Sequence, residues 1–477
     1  MISLFIIILV ISMMFVSVVF FYNIRKFYKN KIIIDFVLYI LLISELMFFL
    51  IPSILRVLSD WQYERIVDVT AYEVAHVFMV EFFSFFIWLV TILVLSMTFK
   101  SGSIDKISLR PTLVMFREFK SDGREYYCSF ISNKKSTNNI INFSLVVMLV
   151  NAAYLYNESI GAGPNLIPLL DWLIYPFTMK SGKLFILIIL LFGYRAVGMW
   201  RYIMTVAIGL YVYSFDLSDG SLGSIIAPAS YVIFFIIFIK DNKMMRYLAL
   251  IGVVFVLLFY NDMHNMRSYS FDKSVIERFL LVLKSEQLPA DSNFSLIDKF
   301  DYRLGVPSKM SVGYVRMYDD GRGAYYKPFV NSLYSVIPRR FYKDKPVSGS
   351  LNGDRLSTGP HLINDEIEKS IQNMSGHFTG LHFYWEGGYL GVFILSILSG
   401  LYTYLLFALL DKAAVASLFF TLVAYDTWWG IVKLWSSEIV IQVVTYMIPM
   451  LFFYYCFKVF SNLIRKCKVR PNFRTAT

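Results

Sequence analysis

Long uncharged runs alternate with short polar connections along this chain until about Asn261, where the pattern changes. From Ile2 to Tyr22 the sequence ISLFIIILVISMMFVSVVFFY carries no charge. About 20 such residues suffice to cross the apolar core of a bilayer. Comparable runs predict crossings near 2–22, 32–55, 76–98, 140–156, 183–194, 202–216, 224–239, 247–260, 386–410, 413–431 and 438–457. The run at 183–194 is short, and it borrows from Leu166 to Phe177 or tilts with its polar flanks. One polar stretch, 261–385, stands between the eighth and ninth runs. The pattern therefore predicts an all-α polytopic integral membrane protein of about 11 helices (10–13), with one large outer loop containing amphipathic helices. Three parts follow: an N-terminal helix bundle at 1–260, the loop at 261–385, and C-terminal helices with a basic tail at 386–477.

Composition agrees: 57% of the 477 residues are hydrophobic and 17% charged, against about 25% charged in soluble domains. The first run has no basic stretch before it and no small-residue cleavage site after it, so a retained helix is expected rather than a signal peptide.

Charge sets the expected orientation. One alternate set of short connections, with the tail, holds 24 Lys and Arg, among them Arg25, Lys26, Lys29, Lys134, Lys135 and Arg465. The other set holds 5: Arg56, Arg65, Lys180, Lys183 and Lys433. Basic residues stay cytoplasmic, so the N-terminus and the large loop are expected outside and the C-terminus inside. The net charge of +11 is then largely a topology signal and does not imply nucleic acid. The three cysteines, Cys128, Cys456 and Cys467, fall on the inner side, so no disulfide framework is expected outside.

Candidate chemistry gathers in and around the loop. Val275 to Leu283 (VIERFLLVL) is amphipathic and suited to a membrane surface. Asp301 to Gly305 brings Arg303, and a glycine-rich turn follows at 319–323 (DDGRG). From Lys327 the apolar spacing is helical until Pro338 ends it. Past that proline lie Arg339, Arg340, Lys343 and Lys345. A guanidinium binds two phosphate oxygens at once, so this cluster fits a diphosphate; a basic patch touching anionic lipid is the plainer alternative. At the loop's end come His377 and Glu386, the latter followed by Gly387, Gly388 and Gly391 and expected to open the next helix. A His and a carboxylate there could accept a proton from a sugar hydroxyl; a helix-starting Glu satisfied by the helix N-terminus is the structural alternative. Asp35, Glu45, Glu81 and Asp426 fall within apolar runs, where charges are costly and face the protein interior or water. Glu81 and Asp426 are nearest the outer surface and are candidates for an acceptor cleft, with pairing to Arg56 or Lys433 as the alternative. No nucleotide-binding glycine pattern occurs. His377 and His382 lack a flanking ligand pattern, so neither a metal nor a cofactor is expected.

Three elements in order resemble the Wzy-type polymerases of bacterial O-antigen and other surface polysaccharides. They are Gly193-Tyr194-Arg195 after an apolar run, Ile337-Pro338-Arg339 with Lys345-Pro346, and Glu386-Gly387-Gly388 with Gly391. The resemblance covers most of the chain as architecture and some 40 residues as motif. It implies a metal-independent glycosyltransferase at the outer face of the bacterial inner membrane, acting on undecaprenyl-diphosphate-linked oligosaccharides among membrane lipids, with a chain-length regulator as a further partner. Arg339, Arg340, Lys345, Arg303 and Arg195 would hold diphosphate, and His377 or Glu386 would be the base. One departure stands: the charge pattern puts Arg195 inside, whereas the family's arginine is expected outside. A lipid-linked glycan ligase and a flippase of the same lipid are the rival readings.

Overall fold

A computed structural model describes residues 2–29, 31–51, 70–100, 134–159, 197–219 and 379–412 as runs. It also describes isolated residues at 54, 118–128, 247, 251, 315–334 and 448–462. All regular structure among them is helical: α1 (Ile2–Arg25), α2 (Lys31–Glu45) continued by a π-helical turn (Leu46–Leu50), α3 (Ala71–Phe99), α4 (Lys134–Ser159), α5 (Met199–Asp219) and α6 (Thr379–Lys412). Within α1, α3 and α6, the stretches Leu4–Arg25, Ala75–Phe99 and Gly380–Ala408 are long and apolar enough to cross a membrane. Shorter apolar helices occur at Ile34–Ile43, Ile141–Tyr156 and Met199–Val212. The crossings expected at 183–194, 224–239, 247–260, 413–431 and 438–457 lie outside the described runs. The chain is thus a helical, membrane-associated protein with at least these three spanning-length helices.

Two compact units divide the chain. The second contains α4 and α5, packed on each other and tied by Arg201 donating to Asn138 at 3.3 Å. The first contains α1, α2, α3 and α6.

In that first unit, side-chain contacts fix the helix directions. Phe20 meets Phe86 and Tyr28 meets Ser96, so α1 and α3 run parallel. His76 meets Tyr389, Ser84 meets Ser396 and Lys100 meets Asp411, so α3 and α6 run parallel too. Arg25 with Asp35, and Ser17 with Glu45, make α2 antiparallel to α1. Small residues let α3 and α6 approach closely. A Cβ on Gly400 would stand 2.7 Å from Thr91 Cβ and 3.1 Å from the Trp88 carbonyl. Ser84 and Ser396 share a hydrogen bond of 2.8 Å, and Trp88 Nε1 donates to Thr403 at 3.1 Å. This is how helices bind one another where lipid is as apolar as leucine.

The far end of the unit carries paired charge. Arg25 forks onto Asp35 at 2.8 and 3.1 Å and reaches Glu118 at 3.2 Å. Lys100 meets Asp411 at 2.7 Å, and Asp411 also accepts the Lys29 amide. Pairing of this kind offsets the cost of burying charge. Glu45, buried like Asp35, accepts instead from Ser17 at 3.0 Å. The opposite end is an apolar cluster of Ile6, Val10, Phe49, Val77, Phe78 and the beginning of α6, with Val315 inserted from the 261–385 segment.

Candidate functional site

α6 begins at Thr379, seven residues before the boundary that the glycines imply, and it is interrupted rather than opened at Glu386. Gly387 (φ −167, ψ 26) and Gly388 (φ 61, ψ −151) leave helical geometry. Only glycine adopts the latter conformation without strain. A continuous helix would set residues 383 and 391 about 12 Å apart along its axis; here the Gly391 α-carbon backs onto the Phe383 carbonyl, where no side chain would fit. The stretch from Tyr389 to Lys412, about 36 Å of helix, is long enough to cross a membrane by itself. Thr379 to Glu386 is therefore a separate short helix laid against α3.

Glu81 of α3 holds that short helix. Its carboxylate accepts from the Gly380 amide at 3.2 Å and the Leu381 amide at 2.9 Å, two of the donors a helix N-terminus leaves without internal partners. A Cβ on Gly380 would stand 2.8 Å from Ser84 Cβ and 3.0 Å from Glu81 Oε2, so glycine permits the approach. Leu381, His382, Phe383, Tyr384, Trp385 and Glu386 are all buried. Glu386, the last residue before the break, is 0% exposed.

A piece of the polar 261–385 segment closes over the break. The turn expected at 319–323 is present: Asp320 N donates to Arg316 O at 2.8 Å, and Gly321, at φ 75, donates to Tyr318 O at 3.0 Å. Arg316 forks onto Glu73 at 2.6 and 2.9 Å, anchoring the turn to the start of α3. Glu73 also completes a capping box with Thr70. The Arg316 hydrogen bonds hold the Glu73 carboxyl below its ordinary value of 4.5. Tyr318 lies over Gly388 and Tyr326 over Gly387. The Tyr326 amide donates to the Glu386 carbonyl at 3.1 Å, a group the break would otherwise strand. Around this seam His76 shares a hydrogen bond with Tyr389 at 2.8 Å, and Tyr384 donates to Asp319 at 3.0 Å. Tyr384 packs edge-on against His76, Tyr318 and Tyr389.

Of the residues singled out from sequence, the structure brings Glu81 and Glu386 to the two ends of one short helix. His377, Arg339, Arg340, Lys345, Arg303, Arg195 and Asp426 lie outside the described residues. Among the described residues no group of His, Cys, Asp or Glu gathers as a metal site. Sequence reasoning did not find His76, Glu73, Arg316, Tyr318, Tyr326, Tyr384 or Tyr389 as one neighbourhood. The available signal was aromatic density on both sides of two glycine groups, at 318–326 and 383–391.

The site is thus a buried carboxylate at the break between a short helix and a spanning-length one, covered by a turn from the polar segment. No family model, curated protein or solved structure matches the chain.

Proposed function

We propose that this protein polymerises lipid-diphosphate-linked oligosaccharide repeat units at the outer face of the bacterial inner membrane. The observation that carries this reading is the buried Glu386 at the break in α6, with a turn of the polar segment seated on it. A carboxylate buried where a spanning-length stretch begins is a functional candidate, and Glu386 stands between that stretch and a turn of the polar segment. The ordered likeness of three sequence elements to the polysaccharide polymerases supplies the chemistry.

In that chemistry a hydroxyl at the non-reducing end of the acceptor unit loses its proton to Glu386, with His377 as the other candidate base. The freed oxygen attacks the anomeric carbon of the donor glycan. The bond from that carbon to the diphosphate breaks, and its electron pair leaves with the lipid diphosphate. Arg339, Arg340 and Lys345, with Arg303 and Arg195 as further candidates, neutralise the departing charge. No redox change occurs, and no metal or nucleotide is consumed. Glu81 and Asp426 remain the acidic candidates for the acceptor cleft, Glu81 through the short helix it holds.

The broken helix also favours a second reading, a flippase for the same lipid, because discontinuous helices build transporter sites. The two readings part on sidedness. Deletion of a polymerase leaves single-unit glycans on the lipid at the outer face, where a lectin added to spheroplasts binds them. Deletion of a flippase leaves them inside, out of the lectin's reach until the membrane is permeabilised. Lectin binding only after permeabilisation would overturn the polymerase.

A further inference from the structure

The segment that closes the break carries an unusual piece of backbone. Tyr325 and Tyr326 both adopt left-handed conformations, at φ 48 and φ 59. Two successive non-glycine residues there are uncommon, because the Cβ crowds the following carbonyl. Such strain persists only where the surroundings over-determine it, and it gathers at ligand clamps and active sites. Here the surroundings are identifiable. The Tyr326 amide is tied to the Glu386 carbonyl, and the Val330 amide returns to Tyr326 O at 3.0 Å.

The result is a particular placement of one phenol. Tyr326 Oη lies 2.6 Å from where a Cβ on Gly387 would stand, so any side chain at that glycine would evict it. The same oxygen is buried, and it has no hydrogen-bond partner among the described residues. The ring packs against the cluster that holds Val77, Phe78 and Leu381. A buried hydroxyl without a partner carries a desolvation cost and calls for an explanation in a folded chain. Packing alone would be met by phenylalanine, without the buried hydroxyl.

We infer that Tyr326 is a second substrate-contacting residue, its phenol donating a hydrogen bond to the acceptor hydroxyl oxygen whose proton Glu386 takes. This inference rests on the polymerase reading and adds to it the group that orients the nucleophile. A phenol donor on the oxygen fixes its lone pairs, and the acceptor's own O–H then turns toward the carboxylate. As the bond to the anomeric carbon forms, the proton passes to Glu386 and the phenol keeps its own. Tyr326 suits that role because burial first, then the neighbouring Glu386 and Tyr318, push its pKa up. It remains a donor at neutral pH. The unpartnered oxygen is then a place kept for a ligand, and the strained backbone is what aims it at the break.

The test is Tyr326→Phe, which keeps the ring over Gly387 and removes only the oxygen. Cells deleted for the chain receive wild type, Tyr326→Phe or Tyr325→Phe at equal membrane levels. Polymer formation is followed from the cells' own lipid-linked oligosaccharide. Tyr325 is exposed, its hydroxyl donating to Gly321 O at 3.3 Å, so Tyr325→Phe is the neighbouring control. Losing one hydrogen bond to substrate lowers the rate by roughly tenfold. The expected result is therefore at least a tenfold slower rate for Tyr326→Phe, persisting when the lipid-linked unit is in excess, with the protein's melting temperature unchanged or raised. A control rate from Tyr326→Phe overturns the inference and leaves the polymerase standing. A lower melting temperature with an unchanged rate per folded molecule makes the hydroxyl structural and likewise overturns it. Wild type that restores no polymer instead sinks the polymerase reading itself.

Discussion

At the scale of single residues, several charges among the described residues are held in pairs. Arg25 with Asp35 and Lys100 with Asp411 are compensated at one end of the first unit, and Glu73 with Arg316 at the other. Glu45 and Glu81 differ in kind: Glu45 accepts from the Ser17 hydroxyl, and Glu81 from two backbone amides of the helix it supports. Glu73 offers a pH signature. Its folded carboxyl titrates below the ordinary 4.5 because the Arg316 hydrogen bonds favour the charged form. A depressed acid contributes stability that is complete above its unfolded value and is lost as pH falls through the folded one. The melting temperature of the protein in detergent should therefore drop as pH falls below about 4.5. In Glu73→Gln that part of the drop should be absent. Identical pH profiles for the two proteins would mean that the pair does not hold the turn.

At the scale of elements, α6 sets the outcome. Gly388 combines φ 61 with ψ −151 and has the Tyr318 hydroxyl 2.6 Å from its missing Cβ. Gly388→Ala should thus cost stability on both grounds, by roughly 2 kcal/mol or more. It should lower the melting temperature even though alanine is the better helix former. A stabilised Gly388→Ala would show that the break is dispensable and that α6 can run straight. Gly400→Leu probes a different property, the approach of α3 to α6. With Thr91 Cβ 2.7 Å and the Trp88 carbonyl 3.1 Å from the added Cβ, the helices must separate. The Ser84–Ser396 bond then goes with them, itself worth about 0.6 kcal/mol by the membrane average. Lost folded protein is expected in a fluorescence-detected size-exclusion trace, and an unchanged trace would place that packing elsewhere.

The elements also show how far pattern reaches. Spacing alone places α1 at 2–22 against the observed Ile2–Arg25, and α3 at 76–98 against Ala71–Phe99. Hydrophobic runs are local and lipid tolerates little else, so they are legible. The extra turn of α3 comes from the Thr70–Glu73 capping box, a polar signal outside the apolar run. α6 was less legible because Gly387 and Gly388 read as a helix start, while the structure uses them as an interruption. Glu386 and Glu81 stand out as charges in apolar surroundings. That Glu81 would grip Gly380, or Tyr326 the Glu386 carbonyl, is a matter of contacts across hundreds of residues or between loop and helix, which no local pattern encodes.

At the scale of the molecule, parallel α1, α3 and α6 put their first residues at one end and the Arg25, Lys100 and Asp411 cluster at the other. On the orientation expected from the basic bias of the short connections, the first end would be the outer one, and the break in α6 would then face the compartment in which the proposed polymerisation takes place. Reporter fusions after Lys31 and Lys135 are expected to read cytoplasmic. A fusion between Asp301 and Arg355 is expected to read outside. A cytoplasmic reading from that last fusion would invert the map and move the proposed site away from its substrate.

The most direct test of the central claim is the chain-length profile of surface polysaccharide from cells deleted for this chain and complemented with wild type or Glu386→Gln at matched membrane levels. A polymerase working at the α6 break predicts a restored ladder of lengths with wild type, and single repeat units with both the deletion and Glu386→Gln. A full ladder from the deletion would contradict the polymerase, and a full ladder from Glu386→Gln would contradict its site.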